Sequence, residues 1–431
     1  MNEMYSDRRK QLLQSIDSGI AILPSAALAI RNGDAHYPYR PESSFWYLAG
    51  FREPDAVLVL DATHGLSILF CHEKDPEREI WDGFRYGPQA AREEFGFDQA
   101  YALSELDSRM PGLLSHQSQV QWPIGRDQQF DARVCGWVSA VRAQARSGEE
   151  TPSRFADAMD LVDEMRLIKD DYEIGCLRRA GRISAEAHVR AIQSTRPGMK
   201  EYQIEAELLH TFLKNGARWP AYESIVAGGG NACTLHYVAN NSRLNDGELL
   251  LVDAGCELYG YAGDITRTFP INGKFSPAQR DVYQIVLAAQ QAAIDLLQPG
   301  VAINVPADAA LKVLTQGMLD LHLLSGTLDG AIESGAYRQF YMHGIGHMVG
   351  LDVHDVGKRK SGEHWREYRV GMCTTVEPGL YIRPAANVPP ALENIGIRIE
   401  DNVLITDSGH EVYTHAVPKQ ISDIEALMSG F

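Results

Sequence analysis

The sequence predicts two domains: an α/β domain over residues 1–150, and an α+β domain over residues 151–431 whose two halves repeat about a pseudo-twofold axis. Three observations support this division. At 431 residues the chain is too long for one ordinary hydrophobic core. Up to about Arg146, short β-rich runs alternate with polar, helix-compatible segments; the composition then turns to Ser, Gly, Glu, Thr and Pro between Arg146 and Asp157, where a linker is expected. Beyond it, a helix-helix-strand order occurs twice.

In the first region, Ala56 to Leu60 and Leu66 to Phe70 read as strands and Pro88 to Phe95 as a helix. The apolar run from Gly19 to Ile30, preceded by Arg8, Arg9 and Lys10, imitates an export signal. Glu3 and Asp7 stand ahead of it and Pro24 interrupts it, so a strand and turn are expected instead. The aromatic stretch from Tyr37 to Phe51 reads as a packed loop and strand. Trp81, in Glu79-Ile-Trp-Asp-Gly, suits either a core or a contact surface.

In the second region a long helical pattern begins near Asp163 and ends before Arg196-Pro197-Gly198. A second helix runs from Glu201 to Asn215-Gly216, a favourable C-terminal cap. The order recurs from Ser276, whose Ser-Pro-Ala-Gln is a capping box with Pro at the first helical position. That helix runs to Gln298-Pro299-Gly300 and another follows to about Leu324. Strands come next in both halves, each with the pattern Gly-x4-Val-acid-x-Gly: Gly247, Val252, Asp253 and Gly255, then Gly371, Val376, Glu377 and Gly379.

Composition narrows the function. The formal charge is −17, from 57 acidic against 40 basic residues, and no basic run is interleaved with aromatics, so no nucleic-acid partner is expected. Six cysteines without any CxxC pairing fit reduced thiols in a cytoplasmic protein and argue against a thiolate zinc site. No apolar run is long enough to span a bilayer, so no membrane partner is expected.

The chemistry concentrates between Met342 and Asp355, where His343, His347 and His354 lie within twelve residues. Gly344 and Gly346 argue for an extended or turning backbone rather than a helix. On a strand His343, Ile345 and His347 would share a face, and the glycines would admit a close neighbour. Asp253, Asp264, Glu377 and Glu400 sit in apolar, strand-like surroundings where an unpaired carboxylate is costly. A short turn at Leu258-Tyr259 would set Asp253 opposite Asp264, and a longer Pro-containing connection would set Glu377 opposite Glu400. Opposed residues have Cβ atoms about 4.5 to 5.5 Å apart, and like charges there repel unless something positive intervenes. Two acid pairs on equivalent hairpins therefore imply cations. Four carboxylates and one imidazole suit two divalent metals that share bridging carboxylates; Mn²⁺ is expected first, with Co²⁺, Fe²⁺ and Zn²⁺ as alternatives. Two such ions about 3.5 to 4 Å apart activate a water and polarise a carbonyl, which is the chemistry of metal-assisted amide hydrolysis.

The run from His343 to Asp355, with Val252-Asp253-Ala-Gly255, Gly263-Asp264-Ile-Thr-Arg267, Val376-Glu377-Pro-Gly379 and Ile397-Arg398-Ile-Glu400-Asp401, resembles the pita-bread metallopeptidases, and among them bacterial aminopeptidase P, the Xaa-Pro aminopeptidases. The run from Tyr37 to Ala56 is similar to that family's non-catalytic N-terminal domain. The resemblance implies that Asp253 binds one metal, that Asp264 and Glu400 bridge both, and that His347 and Glu377 complete the second. It implies that His236 and His354 handle protons and position substrate, that a histidine or Glu377 assists proton transfer to the prolyl nitrogen, and that His343 lines the proline side of the pocket. Arg398 matches the arginine near the product side. The implied substrates are peptides with proline at the second position. The implied assembly is a homotetramer in which the N-terminal domain of one subunit approaches a neighbour's site, with Trp81 as its foremost aromatic. A prolidase confined to Xaa-Pro dipeptides is the nearest alternative; a metal-free peptide-binding module or a creatine-hydrolysing relative would have lost ligands that are all present here. The basic segment from Lys358 to Arg369 matches no motif.

Overall fold

Val57–Asp61 and Leu66–Cys71 form the expected antiparallel pair. A computed structural model describes residues 2–16 and 18–430 of the chain. Ile20–Pro24 runs antiparallel to Val57–Asp61 on one side and parallel to Gln119–Trp122 on the other. Gln99–Ala102 and Arg154–Asp157 close the two edges in parallel, which gives a mixed six-stranded sheet. Ile22, Val59, Phe70 and Val120 are buried from it against Met110, Val134 and Trp137 of flanking helices. Two expectations change here. Ser43–Ala49, within the aromatic stretch, is a helix rather than a strand: the Glu42 side chain accepts from the Phe45 N–H, Gly50 closes the other end in the left-handed conformation, and all seven residues are buried. The expected linker is not free chain either, because Arg154–Asp157 pairs with Gln119–Trp122 as an edge strand. The chain divides into compact units at Arg166 and Leu167 instead of near residue 150.

The helical pattern from Asp163 breaks into Met159–Leu167, which ends the first unit, and Asp171–Ser194 in the second, because Asp170 accepts from the Glu173 N–H and Glu173 returns the bond, a capping box that starts a new helix. Asp171–Ser194 is followed by Glu201–Lys214, and Pro277–Ile294, capped by Ser276 and Gln279 as expected, is followed by Asn304–Asp320. Two antiparallel sheets carry the acids. One has the order Ile225–Gly228, Leu249–Asp253, Thr266–Pro270, and the other Cys373–Val376, Asp401–Thr406, Gly409–Val412. Helices and sheets share one apolar core that includes Leu250, Val252, Val286, Val376, Ile397 and Val403.

Candidate active site

Strand register decides where the acids fall. In the second half Val376 pairs with Asp401 and Gly379 with Arg398, so Glu377 lies opposite Glu400, as the sequence led us to expect. In the first half Asp253 pairs with Thr266 and Leu258 with Tyr261, which sets Asp264 opposite Gly255 and not opposite Asp253. The cause is the turn. Tyr259 and Gly260 both have positive φ, 54° and 88°, as a two-residue hairpin turn of the I′ kind requires, so the turn is centred one residue later than expected and the pairing moves by two. A shift of two preserves the face of the strand, so Asp264 still meets Asp253 across the site.

The histidine segment is extended, as expected. Glu377 and Thr375 donate their N–H groups to the carbonyls of Ile345 and His347, so the segment runs along Cys373–Val376. Gly346 permits this approach: a Cβ there would come within 2.1 Å of the Thr375 carbonyl oxygen. The expected alternation does not hold throughout, because Ile345 joins the apolar core while His343 and His347 line a cavity of about 500 Å³. Every residue singled out from the sequence except Trp81 lines that cavity: Asp253, Asp264, His347, Glu377 and Glu400, with His236, His343, His354 and Arg398. Trp81 lies in the N-terminal unit and is 85% exposed, so the core account of it is excluded.

Single ligand atoms of Asp264, His347 and Glu400 lie within 4.8 Å of one another. His347 Nε2 stands 3.4 Å from Asp264 and 3.7 Å from Glu377, and its Nδ1 donates to the Met348 carbonyl, which leaves Nε2 aimed at the acids. The acids press on one another. Burial, followed by repulsion from Asp264, Glu377 and Asp253, raises the Glu400 carboxyl well above its ordinary range. Burial raises Glu377 to about 7 against the pull of His347 and Arg398. His347 is lifted to about 9: desolvation opposes its charge, but the bond to Asp264 and the field of Asp264 and Glu377 prevail. A cluster that must take up protons to stay buried has the donor set and charge for divalent cations, so these residues fit a metal centre.

A hydrogen-bond chain runs behind them. The Arg398 guanidinium donates to Asp253 at 2.5 Å, to Tyr381 Oη at 3.0 Å and to Thr266 Oγ1 at 3.2 Å. Thr266 passes its own hydrogen to Glu400 at 2.8 Å. His343, lowered to about 4 by burial and by Arg398, is neutral near pH 7 and bonds Tyr381 Oη at 2.8 Å and the Gly344 carbonyl at 2.8 Å. Only a donor at Nδ1 satisfies the carbonyl, so Nε2 accepts from Tyr381 and every hydrogen in the chain from Arg398 has a defined direction. His354 stacks edge-on against His347 with ring centres 4.2 Å apart, and burial and the neighbouring His347 lower its pKa.

Tyr222 was not anticipated. Its hydroxyl bonds both Asp253, at 2.7 Å, and Asp264, at 2.5 Å, but has one hydrogen to give, so it bridges the two acids without fully satisfying them. Nothing in Pro220-Ala-Tyr222-Glu marks this tyrosine in the sequence; only its place just before Ile225–Gly228, the neighbour of the Asp253 strand, brings it in. Asp401 and Arg267 were quoted as parts of motifs and given no role. They form a buried pair at 2.7 Å, and Arg267 also holds the Glu400 carbonyl at 2.5 Å.

Residues 175–407 match the metallopeptidase family M24, and residues 5–121 match the aminopeptidase P N-terminal domain. Among curated proteins the chain is 44% identical to a Xaa-Pro aminopeptidase of Haemophilus influenzae, over 99% of this chain and 97% of that one. Among solved structures, Pseudomonas aeruginosa aminopeptidase PepP superposes with a TM-score of 0.98 at 46% identity, covering 100% of this chain and 98% of that one. A zinc-substituted Escherichia coli aminopeptidase P in complex with product superposes with a TM-score of 0.97 at 44% identity, covering 100% and 98%. With the aminopeptidase P type of N-terminal domain ahead of a pita-bread unit that gathers four acids and a histidine, this chain belongs to metallopeptidase family M24, in its aminopeptidase P branch.

Proposed function

We propose that this chain is a metal-dependent Xaa-Pro aminopeptidase, hydrolysing the peptide bond between an N-terminal residue and a following proline. The observation that carries the reading is the convergence of Asp253, Asp264, His347, Glu377 and Glu400 in one cavity with His236, His343, His354 and Arg398. Xaa-Pro aminopeptidase is also the name of its full-length relatives. In this reading Asp253, Asp264, His347, Glu377 and Glu400 would hold two divalent ions, Asp253 serving one, His347 and Glu377 the other, and Asp264 and Glu400 both. When bound, the ions supply an activated water and an electrophile for the scissile carbonyl. An oxygen-rich set with one imidazole suits Mn²⁺ best.

The protein's own groups do the rest. An Xaa-Pro amide has no N–H, so recognition rests on ring shape and the free α-amine, which the acids around Asp253 attract. Neutral His343, fixed by Tyr381 and Gly344, presents a rigid ring edge to the proline. Glu377 lines the cavity beside His347 and supplies a carboxylate that can assist proton transfer to the prolyl nitrogen. His354, whose pKa burial and His347 lower, and His236 donate to the developing oxyanion or the leaving nitrogen. Arg398 keeps Asp253 oriented.

The chain works in the cytoplasm as a homotetramer, with the exposed Ile80, Trp81 and Phe84 patch of the N-terminal unit meeting another subunit. Elemental analysis of protein purified without added metal, with a panel of Xaa-Pro, Xaa-Pro-Yaa and Xaa-Ala peptides, tests the activity. Two equivalents of metal and cleavage confined to proline peptides of three residues or more are expected. Cleavage of Xaa-Pro dipeptides alone would make it a prolidase, and activity undiminished by a chelator would end the metal reading. For the assembly, sedimentation should give a tetramer, and Trp81→Ala should impair longer substrates while leaving the melting temperature within a degree or so, because an exposed side chain contributes little to the core.

A further inference from the structure

The cavity has two unlike sides, and strand order separates them. Asp253 lies between Ile225 on one flanking strand and Thr266 on the other. The Thr266 side leads through Arg398 and Tyr381 to His343, where the proposed reading puts the proline. The Ile225 side is built from Ile225, Leu235 and Val238, with Glu223 at its lip. Glu223 is exposed, and among the described residues its carboxylate has no hydrogen-bond or ion-pair partner. This side is also open. Glu223 and Val238 line both the catalytic cavity and an adjoining groove of about 770 Å³ that continues past Trp219 and Leu213.

We infer that the Ile225 side receives the side chain of the substrate's first residue and that Glu223 gives the site a preference for a long cationic one, arginine or lysine. The inference rests on the aminopeptidase reading. With proline toward His343 and the scissile carbonyl over the acids, the first residue falls on the remaining side. A peptidase that removes one residue binds nothing ahead of it, so only that residue's side chain can point along this wall. A methylene stem of three or four carbons lies well against Leu235 and Val238 while its charged head stays in water beside a carboxylate. The open groove gives such a chain room to extend, where a closed pocket would select small residues. Beyond the lip the groove also carries Arg218, which lies over the Trp219 ring at 5.3 Å, and a second carboxylate, Glu205, so acids outnumber the one cation along it.

The test compares Arg-Pro-Ala-Ala with citrulline-Pro-Ala-Ala, equal in size but uncharged, and with Glu-Pro-Ala-Ala, using the metal-loaded full chain. An exposed ion pair corresponds to a preference of roughly two- to fivefold in kcat/KM for arginine over citrulline at low salt, shrinking at high salt. Glu223→Gln should bring that ratio to one, and Glu223→Lys should invert it in favour of the glutamyl peptide, with metal content unchanged in both. A ratio of one in the wild type, or a ratio that survives Glu223→Gln, overturns the inference while leaving the aminopeptidase reading in place. Failure to cleave any of the three peptides overturns both. A change in sedimentation of the Glu223 variants with the arginine ratio intact would show the groove to be a subunit contact, and would also overturn it.

Discussion

The two halves of the C-terminal unit hold their acids by different means. In the first half a tight turn at Tyr259 and Gly260 staggers Asp253 and Asp264 by two positions, and the pair is covered by Tyr222 and Arg398. In the second, a long connection through Pro384, Pro389 and Pro390 leaves Glu377 directly opposite Glu400, and burial drives both toward their neutral forms. The supports behind the strands differ as well. His188 of Asp171–Ser194 donates to the carbonyl of Ala254, next to Asp253, while Gln290 of Pro277–Ile294 donates to the carbonyls of Val376 and Ile399 and to Asp401. A repeated architecture thus has one half whose acids are held by Tyr222 and Arg398, and one half whose acids face each other and are driven toward their neutral forms even with Thr266 bonded to Glu400.

The largest effect should come from removing an acid that the proposed reading shares between the two ions, one from each half. Glu400→Ala should take activity to background and strip metal, as should Asp264→Ala. Full metal occupancy with near-normal turnover in either would dissolve the dinuclear assignment.

The second test uses the supports. Burial lowers His188 to about 4, against an ordinary value of 6.5. Its folded-state pKa is below its unfolded one, so the stabilisation is complete above pH 6.5 and is lost as pH falls from 6.5 to about 4, by about 3 kcal/mol in all. The glutamine of the other half has no such dependence. The raised carboxyls of Glu377 and Glu400 act in the opposite sense but alike in both proteins, so urea midpoints measured on chelated protein should lose more between pH 6.5 and 4 in the wild type than in His188→Gln. Parallel pH profiles for the two proteins would show that the first half is not proton-sensitive through this residue.

A smaller change concerns the turn. Gly260→Ala places a Cβ at a φ of 88° and should cost about 1 to 2 kcal/mol. Asp253 and Asp264 should keep their stagger, so metal affinity should change little. A large loss of affinity would mean that the turn, and not the paired strands, holds the first pair.

These differences also mark what could be read in advance. Glu377 and Glu400 were correctly opposed because the ladders on either side of them, Cys373–Val376 with Asp401–Leu404 and Gly379–Ile382 with Ile395–Arg398, keep one register through both acids. Asp253 and Asp264 were misplaced by two because the register depended on positive φ at Tyr259, a residue type that gives no sign of it. The metal-ligand candidates were legible because carboxylates within apolar strands are rare enough to demand an explanation. Tyr222 was not, since a lone tyrosine before a strand is ordinary core material until its hydroxyl is found between two acids. The helix at Ser43–Ala49 was missed for a similar reason: aromatic residues favour strands, and only the Glu42 cap and Gly50 reverse that preference.

Arg267 belongs to the first half and Asp401 to the second, and both are completely buried. The first half alone would leave Arg267 without its carboxylate, at a cost of roughly 3 to 5 kcal/mol, before any catalytic residue was in place, whereas Asp401 also has Lys419 of its own half at 2.8 Å. The duplication visible in the architecture therefore does not extend to thermodynamics. The first half gains its full stability only against the second, and residues 167–431 should melt in one cooperative step in which calorimetric and van't Hoff enthalpies agree.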